Sequence, residues 1–195
     1  MGYTVPTPIQ QESIPHVLAG RDVVGCAQTG TGKTAAFVLP LLQRIEPRKG
    51  IQALVVTPTR ELAQQISDVA VQASKFTGHR SVVIYGGVGY EPQLQKLRKG
   101  VDIVIATPGR LLDIQNRGSI NLKNVKILVL DEADRMLDMG FWPDVRRILA
   151  LLPTERQNLL FSATMSPDVV RIAGATLKDA VHIETSPTTK PADNI

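Results

Sequence analysis

Asp22-Val23-Val24-Gly25-Cys26-Ala27-Gln28-Thr29-Gly30-Thr31-Gly32-Lys33-Thr34 runs from an apolar strand through a glycine-rich turn into the start of a helix. Gly30 and Gly32 let backbone N–H groups turn toward an anion, and a helix opening at Lys33 adds the positive end of its dipole. Lys33 is placed to reach the β- and γ-phosphates of a nucleotide, and Thr34 to ligate Mg²⁺. The strict pattern has Gly where Ala27 stands. Even so loosened, and with Gly at about 7% of residues, it arises by chance in only roughly one or two of a hundred chains of this length. Ala27, Gln28, Thr29, Gly30, Thr31, Gly32, Lys33 and Thr34 are therefore read as a phosphate cradle.

Outward from this turn, short apolar runs alternate with amphipathic stretches. The expected strands are Asp22–Cys26, Ala53–Thr57, Ser81–Tyr85, Ile103–Ala106, Ile127–Leu130, Leu159–Ser162 and Val181–Glu184. Most are Val, Ile and Leu without polar alternation, as strands covered on both faces read. The expected helices are Pro8–Ala19, Lys33–Ile45, Arg60–Phe76, Pro92–Lys99, Arg110–Gln115, Pro143–Leu151 and Pro167–Thr176. Parallel neighbours need crossover connections, so this alternation predicts an α/β fold. It has a mostly parallel sheet of about seven strands, with helices on both faces. Residues 1–185 form one domain. Ser186–Ile195 has linker composition, which with the abrupt start suggests a domain cut from a longer protein.

A chain of 195 residues, 43% hydrophobic and 21% charged, can bury a full core. No run is long and apolar enough for a membrane helix, and nothing near Met1 resembles a signal peptide. The single cysteine, Cys26, suits a reducing compartment, so the cytoplasm is the expected location. A net charge of +4 permits a nucleic-acid partner, and an aromatic content of 4% points to backbone contacts over base stacking.

A second acidic site follows the run Val125–Leu130: Asp131-Glu132-Ala133-Asp134. Carboxylates at the carboxyl end of a buried strand face the crevice where open α/β sheets bind ligands. Asp131 can hold Mg²⁺, mostly through water, and Glu132 can orient and deprotonate an attacking water. Gln10 carries an amide whose paired donor and acceptor suit the N6/N7 edge of adenine and would reject guanine. Thr59, Gly87, Thr107 and Gly109 offer hydroxyls and open amides near strand ends, and Arg60 and Arg110 offer charge. Such groups suit phosphate and ribose contacts, and the two threonines can also cap helices.

Asp131–Asp134 spells D-E-A-D, and the chain resembles the N-terminal RecA-like domain of a DEAD-box RNA helicase. Gly2-Tyr3 with Pro6-Thr7-Pro8-Ile9-Gln10 resembles the Q motif, and Pro58–Ala63 motif Ia. Gly86-Gly87 is similar to the paired-glycine motif, Thr107-Pro108-Gly109-Arg110 to motif Ib, and Ser162-Ala163-Thr164 to motif III. With the phosphate cradle these follow the family's order along nearly the whole chain, and Leu128–Phe141 is most similar to bacterial members.

The resemblance implies ATP and Mg²⁺ as ligands, with Lys33, Asp131 and Glu132 catalytic. Tyr3, Pro8 and Gln10 join the phosphate cradle in holding ATP. It implies an RNA surface at Pro58, Thr59, Arg60, Gly86, Gly87, Thr107, Pro108, Gly109 and Arg110, read through the sugar-phosphate backbone without sequence preference. Ser162 and Thr164 would couple the two sites through Asp134. It further implies a second RecA-like domain that supplies arginine fingers, worth on the order of 10³–10⁵ in rate. This chain has no His-Arg-Gly-Arg motif, and the family's adenine-stacking aromatic would lie before Met1. The isolated domain is thus expected to be a monomer that binds nucleotide with little turnover. Two alternatives stay open: a superfamily 2 DNA helicase, and a one-domain nucleotide-dependent binding module.

Other conspicuous residues are read as structural. His16, His79 and His182 lack metal-ligand spacing. Cys26 is read as a core thiol, Trp142 as packing at a helix start, and Lys96, Arg98 and Lys99 as a solvated face.

Overall fold

The computed structural model describes residues 2–185, so the linker reading of 186–195 lies outside the described residues. Seven strands form one sheet: β1 (Val23–Cys26), β2 (Ala53–Val56), β3 (Ser81–Ile84), β4 (Ile103–Ala106), β5 (Ile127–Leu130), β6 (Gln157–Ser162) and β7 (Val181–Glu184). Their order is β3-β4-β2-β5-β6-β1-β7, and all six neighbour pairings are parallel. The central strands β2, β4, β5 and β6 are buried throughout, as the uninterrupted apolar sequences of the first three require. The edge strands β3 and β7 carry polar residues at exposed or half-buried positions, among them Ser81, His182 and Glu184.

The helices are α1 (Pro8–Leu18), α2 (Lys33–Arg44), α3 (Arg60–Ala73), α4 (Glu91–Lys99), α5 (Pro108–Asn116), α6 (Ala133–Asp138), α7 (Trp142–Leu151) and α8 (Pro167–Thr176). Alternate residues of each strand feed two cores. Val55, Ile105, Val129 and Phe161 pack with α1, α2 and α3 on one face. Val56, Val104, Leu128 and Leu160 pack with α5, α6, α7 and α8 on the other. Gly25 of β1 allows the closest approach, since a Cβ there would meet the Phe161 ring at 2.6 Å. No helix among the described residues is long and apolar enough to cross a membrane.

Among the differences from the sequence expectation, three have identifiable reasons. β6 starts two residues earlier because Asn158 and Gln157, though polar, find hydrogen-bond partners inside, with only the Gln157 Oε1 left unpaired. Asp22 accepts from the Asn158 backbone N–H at 2.8 Å, and Gln157 donates to the Val17 and Arg21 carbonyls. α3 stops at Ala73, leaving Phe76 in a turn and 91% exposed. α6 was not expected at all. It is only six residues long, and its first residues read as part of the acidic site. Trp142, as expected, packs at the start of α7 against the core.

Because every strand points the same way, the segments after β1, β2, β3, β4, β5 and β6 emerge at one end of the sheet. That end carries the phosphate cradle, the D-E-A-D tetrad and every other motif of the sequence except α1, which packs against α2 beside them.

Candidate functional site

The cradle is built as its sequence predicts. Gly30 and Gly32 have φ of +85° and +80°, a left-handed conformation that a side chain strains. At Gly32 a Cβ would also strike the Gln10 amide nitrogen at 2.5 Å. Ala27 explains the departure from the strict pattern. It is 2% exposed, its N–H donates to the Ser162 carbonyl at 3.0 Å, and its methyl lies in the core. The first cradle position thus continues the sheet and makes no demand for glycine.

Gln10 is 4% exposed and stands behind the cradle. Its Oε1 accepts from the Thr7 N–H at 3.0 Å, and its Nε2 donates to the Gly32 carbonyl at 3.0 Å. The first bond closes the N-terminus of α1, and the second ties α1 to the start of α2. An amide keeps one further N–H and one further lone pair after these two bonds. Pro8 and Tyr3 are exposed, the latter by 53%.

Three charged side chains meet in the interior beyond the cradle. Lys33 is 5% exposed; its Nζ lies 2.5 Å from Glu132 Oε1 and 3.3 Å from Asp131 Oδ1. Burial works against the ammonium charge, but the two carboxylates outweigh it and hold the Lys33 pKa above its ordinary value. Asp131 is pushed up to about 6, first by burial and then by Glu132, against the pull of Lys33. Asp131 Oδ1 is buried and accepts no hydrogen bond of good geometry. One ammonium therefore serves two carboxylates, and the site carries negative charge in excess.

That excess gives a pH prediction. A carboxyl near pKa 6 in the fold and 3.8 unfolded holds a proton in the folded chain that the unfolded chain has lost. Its contribution to stability therefore falls as pH rises from about 4 to 6. Asp131→Asn removes this slope. Between pH 5 and pH 7.5 the wild type should lose about 1 kcal/mol relative to the variant, read from urea midpoints. Parallel profiles would contradict the assignment.

Glu132 has φ 57° and ψ 50°, a left-handed backbone without glycine's excuse. Such strain persists where surroundings over-determine it, often at functional positions. Here it ends β5 and starts α6 within one residue, so Asp131 and Glu132 both reach Lys33 while Asp134 turns elsewhere. Asp134 Oδ2 accepts from the Thr164 hydroxyl at 3.1 Å, and the Asp134 N–H donates to Ser162 Oγ at 3.2 Å. The hydroxyls after β6 thus bond to the last acid of the tetrad.

A separate group sits beyond β2, β3 and β4. Thr59 caps α3 by accepting from the Leu62 N–H at 3.3 Å, whereas Thr107 makes no such bond at α5. The Arg60 guanidinium lies over the Tyr85 ring, 5.3 Å from its centroid, and reaches toward Gly87. Gly86, Gly87 and Gly109 are exposed, while Pro58 and Pro108 are buried supports. Arg110 lies 4.0 Å over the Tyr90 ring and donates to the Val88 carbonyl at 2.9 Å. Arg117 covers Tyr90 as well, at 3.8 Å, and the Tyr90 hydroxyl donates to Asp113 at 3.1 Å. Sequence reading did not single out Tyr85, Tyr90 or Gln93. Their only signal was proximity to the paired glycines.

Among the described residues, no three His, Cys, Asp or Glu side chains are grouped to cage a metal. Mg²⁺ needs no such cage, because it keeps waters and takes phosphate oxygens. The hydroxyl of Thr34 and the unsatisfied Asp131 Oδ1 are hard oxygen donors of the kind it uses, so the residues present fit the ion.

A family profile described as DEAD/DEAH box helicase matches residues 7–172. Over 195 aligned residues the chain is 52% identical to "ATP-dependent RNA helicase DeaD" of Escherichia coli strain K12, covering 98% of this chain and 31% of that protein. It is 48% identical to "DEAD-box ATP-dependent RNA helicase RhpA" of Helicobacter pylori strain B128, covering 95% of this chain and 38% of that one. The chain therefore spans about a third of the length of these relatives. Its fold matches the crystal structure of a DEAD box protein from the hyperthermophile Methanococcus jannaschii, with a TM-score of 0.89 and 43% identity. That match covers 93% of this chain and 50% of the other. A hypothetical ATP-dependent RNA helicase from Sulfolobus tokodaii matches with a TM-score of 0.88 and 38% identity, covering 95% and 54%.

Proposed function

The chain belongs to the DEAD/DEAH box helicase family, and on that premise we propose that it is the ATP-binding half of an RNA-dependent ATPase that separates RNA strands. The observation that carries the reading is the buried Lys33–Asp131–Glu132 cluster directly behind the cradle, with Gln10 bonded to the cradle itself. Lys33 leaves the two carboxylates to neutralise the β- and γ-phosphates. Those carboxylates then need another cation. Mg²⁺, when bound through Asp131 and Thr34, supplies it and offsets charge on the phosphates. Glu132, released from Lys33, accepts a proton from the water that displaces ADP from the γ-phosphoryl group. Asp134, held by Ser162 and Thr164, relays the state of the nucleotide site toward the strand after it.

Arg60, Arg110 and the open amides at Gly86, Gly87 and Gly109 would hold the RNA backbone, with Thr59, Thr107, Pro58 and Pro108 shaping the strand ends. The stacking of Arg110 on Tyr90 supports this, since it points the guanidinium without using up all its donors. A second RecA-like domain would close the ATP site and supply arginine fingers, so the isolated chain binds nucleotide and turns it over slowly. A cytoplasmic setting belongs to the same proposal and is supported by the single thiol, Cys26.

The test is ATP turnover by this chain joined to a second domain of the family, with single-stranded RNA or DNA of the same sequence added. Stimulation by RNA and little by DNA is expected. Equal or greater stimulation by DNA would replace RNA with DNA as the substrate.

A further inference from the structure

The end of the sheet opposite the nucleotide site carries depressions of its own. Here the chain enters the strands, and a string of depressions crosses the starts of β3, β4, β2, β5 and β6. The largest, a cavity of about 540 Å³, is lined by Arg80, Lys96 and Lys99. It adjoins a smaller one that shares Arg80 and Lys99 and adds Arg48. Through Gly50 and Gly100 this continues into a third depression, which reaches Asn124. Asn124 in turn borders a fourth, lined by Lys49, Lys123 and Lys126. Across four strand spacings the groove runs about 19 Å.

All of these cations are exposed, and among the described residues none has an ion-pair partner. The carboxylates beside them are Glu46, Asp102 and Glu155. Asp102 is 1% exposed and accepts the backbone N–H groups of Arg48 and Arg80 at 2.8 and 2.9 Å, so it faces inward. Seven cations thus stand beside three carboxylates, one of them turned inward, and the groove is net positive. Arg98, by contrast, is paired with Glu91 at 2.8 Å and is not part of it.

We propose that this groove is a second contact for the sugar-phosphate backbone of RNA, at the opposite end of the sheet from the family motifs. The partner's identity rests on the proposed function above. The positive charge is strung along the groove instead of converging on one point, which suits a ligand whose negative charge repeats along a chain. Its lysines are mobile point charges, and Asn121 and Asn124 add neutral donors, a composition that grips phosphate and ribose without reading bases. The 14 residues of α3 run from Arg60 at the motif end to the groove beside Ser74, about 21 Å, a distance that one extended RNA strand can span to engage both. The consequence is retention: RNA stays tethered when the nucleotide cleft opens.

The experiment is fluorescence anisotropy of this chain with a labelled 20-nucleotide single-stranded RNA, titrated from 50 to 200 mM KCl. The variants are Arg80→Gln/Lys96→Gln/Lys99→Gln and Arg60→Gln/Arg110→Gln, with thermal melts to show that each folds. Loss of three phosphate contacts should weaken binding by about tenfold or more and lower the slope of log K against log salt by about 2. Unchanged affinity and slope in the triple variant, with weakened binding in the double variant, would overturn this inference and leave the proposed function standing. No RNA binding by the unaltered chain would overturn both. Binding of phosphatidylglycerol vesicles or polyglutamate as tightly as RNA, lost in the triple variant, would replace RNA with a lipid surface or an acidic protein.

Discussion

Lys33→Ala is expected to weaken ADP binding by this chain by about one to two orders of magnitude and to destabilise the fold. In ADP the ammonium would make a charge-assisted bond to the β-phosphate, worth roughly 1.5–3 kcal/mol, so affinity should fall by about 10- to 100-fold. The same substitution strips the one cation paired, among the described residues, with two carboxylates that are 2% and 3% exposed. Removing one partner of a buried ion pair destabilises by roughly 3–5 kcal/mol. The loss should be larger at pH 8 than at pH 5.5, because Asp131, already pushed up to about 6, can take a proton and relieve the repulsion. Calorimetry with ADP and urea melts at both pH values separate the two effects. Unchanged ADP affinity in the variant would sink the cradle assignment.

How much of this was legible beforehand depends on whether the signal was local. The cradle glycines announce their left-handed conformation by being glycines, and the apolar runs of β2, β4 and β5 announce a sheet covered on both faces. The Ser162–Thr164 link to Asp134 was anticipated only through family resemblance, and the hydrogen bonds now give it a geometry. What stayed hidden is long-range. Nothing near Lys33 shows that residues about a hundred positions later share its charge, and nothing in Glu132 itself shows a left-handed backbone. Gln10 was read as an adenine contact, yet two of its bonds turn inward to Thr7 and Gly32. The cations of the strand-start groove come from separate loops and from α4, from Arg48 to Lys126, and only parallel pairing gathers them on one face. Lys96 and Lys99 were read as solvated for that reason.

Glu132→Gln should have a comparably large effect, read in this chain joined to a second domain of the family. Glutamine keeps the volume and can still bond to Lys33, so ATP binding is retained. It cannot take the proton of an attacking water, and removing a positioned general base lowers turnover by about 10² to 10⁴. Single-turnover ATP hydrolysis with saturating RNA measures this directly. If turnover were retained, the base would have to be sought elsewhere, with Asp131 the neighbouring candidate.

This chain is expected to hold an adenine nucleotide on the cradle of Ala27–Thr34, with Gln10 beside the cradle reading the base. A calorimetric titration of the unaltered chain with ADP and, separately, GDP tests it most directly. Saturable one-to-one binding of ADP is predicted, with GDP at least about tenfold weaker, because guanine sets an acceptor where the free Gln10 acceptor position expects adenine's amino group. Equal affinity for the two nucleotides, or no saturable heat with ADP, would contradict it.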